Sequence, residues 1–146
     1  MYNNDVVTVR VVAASSAGVS RYGTVTIGGV SDTFSVITPP DLVPDQFTFT
    51  DVTNADIQVT YTSTITLSGM TPGYSTNATF SGSSLADFRV NSGSYSQSSK
   101  SVQNGDTITA RVSGLTTYST TYNAEITVGG VSDTFSVTTE SQQTTT

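Results

Sequence analysis

The sequence predicts an all-β chain, a two-sheet antiparallel sandwich with Greek-key connections, and three observations predict it. Val, Ile, Phe and Tyr are the main apolar residues, Ser, Thr, Gly and Asn supply the polar surface, and only 11 % of the 146 residues are charged, which is strand composition. Apolar and polar residues alternate over short runs separated by turn signals every 8 to 12 residues or so, with no helical periodicity. The nine residues from Gly28 to Val36 recur as Gly129 to Val137, an offset of 101 residues, and residues 5–38 align without a gap on 106–139. The chain therefore opens in the last third of one repeat and continues into a full one.

Residues 1–38 form the partial copy, for which three strands are expected. Val7, Val9 and Val11 give the inward face of the first, Val25 and Ile27 that of the second, and Phe34 and Val36 that of the third. Gly28-Gly29 supplies the positive-φ positions that a tight hairpin needs. Three strands alone make an open sheet with free edges and an uncovered apolar face, which is marginal in water. The outward positions differ between copies: Val6, Val12 and Ile37 stand where the complete copy has Thr107, Ser113 and Thr138. Both faces of the partial copy then read as apolar, and Val6, Val12 and Ile37 become the candidate assembly interface. At about 25 cal/mol per Å² of apolar surface removed from water, covering a few such side chains stabilises an interface by several kcal/mol before association costs. The alternatives are that β-branched residues merely suit strands, or that a one-residue bulge reverses the faces.

Residues 39–45 carry three prolines with Thr38 before them and read as a short, fairly stiff linker. The complete unit spans 46–139, with period-two runs at Phe47/Phe49, Ile57/Val59/Tyr61, Ile65/Leu67, Ala78/Phe80, Phe88/Val90, Ile108/Ala110/Val112, Ile126/Val128 and Phe135/Val137. Turns are expected at Pro72-Gly73 and Asn91-Ser92-Gly93, and a hairpin at Asn104-Gly105. Residues 140–146 hold no apolar residue and are expected to fray as a flexible tail.

The chain has no Cys and no His, so disulfides, thiol nucleophiles, imidazole bases and Cys or His metal sites are excluded. No catalytic residue and no cofactor is expected, and the protein reads as a non-enzyme. A formal charge of −6 with scattered cations disfavours nucleic acid. No apolar run approaches the roughly 18 residues of a membrane span, and the start Met1-Tyr2-Asn3-Asn4-Asp5 is no signal peptide.

Asp41, Asp45, Asp51 and Asp56 cluster near the linker, but without Asp-x-Asp-x-Asp spacing they read as solvated loop carboxylates rather than a Ca²⁺ site. Asp32 and Asp133 follow the Gly-Gly doublets and are expected to cap turn amides. Arg10 and Arg111 recur at outward positions, where cross-strand contacts are expected. Asn77-Ala78-Thr79 matches a glycosylation acceptor, but within a strand and without a secretory signal it reads as chance. Tyr61, Tyr74, Tyr95, Tyr118 and Tyr122 are read as closing the core ends, with loop-mediated binding of sugars or proteins as the alternative.

Several blocks in order carry a likeness to a known family: Phe47 to Val52, Tyr61 to Gly69, Val102 to Ile108 and Gly129 to Val137. Together they resemble the bacterial and phage immunoglobulin-like repeat found in tandem in large surface proteins and in virion proteins, over residues 45–139 in full and 3–38 in part. The resemblance implies an immunoglobulin-like sandwich and no catalytic residues. Two functions are then expected. In the first, the chain is a structural protein of a phage or phage-like particle, a head decoration or tail component located in the virion, whose incomplete N-terminal sheet is completed by another copy, as a homo-oligomer, or by capsid or tail proteins. In the alternative it is a spacer or binding segment of a long bacterial adhesin or tail fibre at the cell surface, facing glycans or proteins. Neither nucleic acid nor membrane is an expected partner.

Overall fold

In the computed structural model, which describes residues 1–144, the chain divides between Asp41 and Leu42 into two units. The first contains one antiparallel hairpin, β1 (Ser20–Ile27) and β2 (Val30–Ile37), in register from Ser20 opposite Ile37 to Ile27 opposite Val30. Gly28 and Gly29 turn it with φ of 55° and 84°. Both central positions are left-handed, which matches the twist of the flanking strands and which residues with a Cβ adopt only at a cost.

The segment around Val7, Val9 and Val11 departs from expectation. It makes no ladder with the hairpin and lies across its apolar face instead. A Cβ added to Gly23 in β1 would stand 2.9 Å from Val9 Cγ1 and 3.1 Å from Val11 Cγ2. The partial copy is thus two strands and one facing segment, in two layers, rather than three strands in one sheet. Thr38 Oγ1 donates to the Ala14 carbonyl (2.8 Å) and Gly18 N–H to the Thr38 carbonyl (2.7 Å), fastening the 13–19 connection to the end of β2.

The second unit begins at Leu42, so half of the expected linker belongs to it. Pro44 is buried, and Asp45 N–H donates to the Ser68 carbonyl at 2.8 Å. Eight strands follow: β3 (Val52–Ala55), β4 (Tyr61–Thr66), β5 (Ser75–Gly82), β6 (Ala86–Val90), β7 (Lys100–Gln103), β8 (Thr107–Val112), β9 (Thr121–Val128) and β10 (Val131–Thr139). They build a five-stranded sheet in the order β3-β10-β9-β5-β7 and a three-stranded one in the order β4-β8-β6. Every pairing is antiparallel except β3 with β10. This is an immunoglobulin-like antiparallel sandwich, and the alternation read from the sequence delivers Ile108, Ala110, Val112, Ala124, Ile126, Val128, Phe135 and Val137 to its interior.

Three local expectations are revised. Phe47 and Phe49 are buried as predicted, but residues 46–51 form a strap without ladder bonds. Ile57 and Val59 lie in a turn where Gln58 takes φ of 62°, and Gln58 N–H donates to the Leu115 carbonyl. Asn104-Gly105 carries the chain from β7 in one sheet to β8 in the other, a corner between layers and not a hairpin. Glu140 is pinned by bonds to Ala55 and Ser119, residues 141–144 are exposed, and the rest of the expected tail, 145–146, lies outside the described residues. Among the described residues no helix is long and apolar enough to cross a membrane.

Candidate assembly site

The two copies share their local geometry. Hairpin β9–β10 repeats the register of β1–β2, with Gly129 and Gly130 at φ of 56° and 86°. The pair Thr26/Ser31 shares a side-chain hydrogen bond, and so does its counterpart Thr127/Ser132. In the second unit β8 sits in the opposite sheet from β9 and β10, which explains why residues 6–12 face the first hairpin instead of pairing with it. Their other natural neighbours, the equivalents of β4 and β6, have no counterpart within residues 1–41. A lone extended segment has no ladder to join.

What the first unit lacks leaves a groove of about 310 Å³, lined by Val7 and Val9 from the facing segment, Val25 and Ile27 from β1, and Val30, Ser31, Asp32 and Phe34 from β2. Phe34 is 50 % exposed while its counterpart Phe135 is 0 % exposed. In the second unit the facing sheet and the strap close this face together, the strap running along the β10 edge with the Phe49 ring 6.5 Å from that of Phe135. Leu42 and Pro44 lie against Gly129, Gln46 Nε2 donates to the Ser132 carbonyl (3.3 Å), and Ser136 N–H donates to Asp51 Oδ1 (2.8 Å). Phe49 N–H donates to Asp133 Oδ2 at 2.6 Å.

That last bond corrects the expected role of Asp133. It holds the strap rather than capping its own turn. Asp32, its counterpart, is exposed and, among the described residues, accepts from the adjacent Thr33 N–H (2.9 Å) and from no strap. Nothing lies within 4 Å of where a Cβ on Gly28 would stand. The first unit thus presents the strap's receiving surface without a strap.

Val6, Val12 and Ile37, the residues singled out from sequence, are 89 %, 70 % and 63 % exposed. They alternate with Val7, Val11 and Val36 and so occupy the outer faces; none lines the groove. The comparison that finds the groove is the repeat itself, since Phe34, Val25 and Ile27 match residues that the complete copy buries.

The outer face of the three-stranded sheet carries Asp87, Arg89 and Arg111. Arg111 on β8 stands opposite Asp87 on β6 and binds it through Nε (2.9 Å) and Nη2 (2.7 Å), a two-point ion pair. Its guanidinium lies 3.8 Å from the Tyr95 ring centre, with Arg89 at 4.8 Å from the same ring. The Asp87 hydrogen bond, only partly offset by desolvation, pushes Arg111 above its ordinary pKa. Lys100 Nζ sits 4.0 Å from the Phe88 ring centre and donates to the Ser96 carbonyl, Ser96 Oγ and the Ser98 carbonyl. Burial pulls its pKa below the usual lysine value, against the attraction of Asp87. Arg10, the counterpart of Arg111, is exposed, and no residue within 1–41 matches Asp87.

The remaining candidates are absorbed by structure. Asp45 accepts from Ser68 Oγ (3.1 Å) and Asp51 from Ser136 N–H, and among the described residues no three acidic side chains gather as a metal site. Asn77 lies within β5. Tyr61 accepts from Asp56 N–H (2.9 Å) and packs on the core with Tyr122, while Tyr74 is exposed.

No known family profile matches this chain, and no curated protein matches it. Among solved structures it is similar to domains 4 and 5 of the S-layer protein SbsC, at 16 % identity and a TM-score of 0.45, over 85 % of this chain and 59 % of that one.

Proposed function

We propose that this chain is a non-enzymatic structural protein that assembles through its incomplete N-terminal repeat. The finer reading is a head decoration or tail component of a phage or phage-like particle, with neighbouring copies or particle proteins as partners. One observation carries the assembly role: the interior of a sandwich, Phe34 with Val25 and Ile27, opens to solvent in the first unit where the same positions are sealed in the second. Apolar surface of this kind marks an interaction site, and the hairpin edges offer main-chain partners to an added strand. The 101-residue repeat favours a second reading, a segment of a tandem array in a cell-surface adhesin or fibre.

Light scattering after size exclusion, on residues 1–146 beside residues 39–146, tests the first reading. A discrete oligomer for the full chain and a monomer for the shorter one is the expected result. Two monomers remove self-completion and leave the tandem array as the better account.

A further inference from the structure

Resting on the assembly reading above, we propose that the groove of the first unit receives an extended strap from a neighbouring polypeptide chain. The strap runs parallel to β2 and places large apolar side chains at alternate positions over Phe34. The template is internal. In the second unit residues 46–51 run beside β10, leading into the parallel pairing of Val52 with Val137, with Phe47 and Phe49 buried and the Phe49 N–H held by Asp133.

The receiving surface is duplicated almost residue for residue. Val30, Ser31, Asp32 and Phe34 are identical to their counterparts, and Val25 and Ile27 exchange one β-branched aliphatic for another. A surface this similar accepts the same chemistry: a Phe-x-Phe pattern, and a main-chain N–H for the Asp32 carboxylate.

The count within residues 1–146 is against the strap of a second copy: they hold two receiving surfaces and one such strap, already seated. Lending it to a neighbour empties one surface to fill another, so homotypic exchange gains no buried area. Self-association through the free edges of the hairpin likewise leaves the groove's inner face to be filled. A strap carried by a partner of another kind fills the groove without emptying the second unit.

The test adds in trans a fluorescent peptide with the sequence of residues 44–55 to the full chain, followed by anisotropy and by amide chemical shifts. Saturable binding is expected, with shifts at Asp32, Phe34 and Ser35. Replacing both peptide phenylalanines by serine, which leaves the protein untouched, weakens it by at least about ten-fold. Asp32→Ala in the protein weakens it by roughly five-fold or more. Absence of saturable binding, an unchanged affinity for the serine peptide, or shifts confined to the second unit overturns the proposal. An oligomeric chain that ignores the peptide overturns strap docking while leaving assembly intact. A monomeric chain that binds it supports the docking and removes only self-assembly.

Discussion

Phe34 and Phe135 occupy the same place in identical nonapeptides, in hairpins of the same register with the same left-handed glycine pair, yet one is half exposed and the other has no exposed surface. Local sequence is enough to make the turn and pair the strands. Burial is supplied by elements distant in the chain: the strap, β3 and β5 on either side of the hairpin, and β4 and β6 around β8. Conformation and burial are therefore separable properties of one segment, and this chain displays both outcomes.

The contrast is sharpest at the phenylalanines themselves. Phe135→Ala is expected to cost about 3–5 kcal/mol of the second unit's stability, as for other fully buried rings, whereas Phe34→Ala costs under about 1.5 kcal/mol. Chemical denaturation followed by tyrosine fluorescence, with amide exchange to separate the units, measures both, and equal costs would break the comparison. Next come the aspartates. Asp133→Ala removes the partner of the Phe49 N–H and is expected to cost about 1.5–3 kcal/mol, while Asp32→Ala leaves stability nearly unchanged.

Gly23→Ala tests the two-layer reading of the first unit. The new methyl group meets Val9 and Val11, so protection of the β1–β2 amides is expected to fall by the equivalent of about 1–2 kcal/mol, with recovery in the Gly23→Ala/Val9→Ala double variant. A segment 6–12 that floats free of the hairpin would show no such coupling. Smaller still is Arg111→Gln, at about 1 kcal/mol or less and reduced by salt because the Asp87 pair is partly exposed, against no change for Arg10→Gln. The smallest effect is a pH dependence. Lys100 holds its proton less tightly folded than unfolded, so stability rises with pH between its lowered folded pKa and the ordinary lysine value of 10.5. Denaturation midpoints across that window should climb less in Lys100→Met than in the parent chain.

Much of the fold is legible in the sequence alone. Period-two alternation named most of the buried residues, and the Gly-Gly doublets fixed both hairpins. What alternation does not encode is the layer in which a strand lies: Val7, Val9 and Val11 look the same whether their segment pairs with the hairpin or faces it. Phe47-Thr48-Phe49-Thr50 reads as a strand by the same rule, but beside β10 its bonds run through the side chains of Gln46, Asp51 and Asp133 instead of a main-chain ladder. The role of Asp133 was out of reach because its partner lies 84 residues away. The candidate site is half legible. Alternation places Val7, Val9, Val25, Ile27 and Phe34 on an uncovered inner face, and comparing the copies adds the outer residues Val6, Val12 and Ile37, while the strap that belongs over the groove is recognised only where the complete copy shows residues 46–51 seated.

The pair at Gly23 and Val9 shows how the two layers of the first unit share their volume. In the complete copy the equivalent positions are Ala124 and Ala110, both fully buried. In the partial copy the smaller residue on the hairpin faces the larger one on the segment opposite. The two layers of the first unit therefore meet at this point without the hairpin's methyl group, and the contact is made by the side chains of Val9 and Val11 rather than by the alanine pair of the complete copy. Close packing between layers is thus reached by different divisions of the same volume.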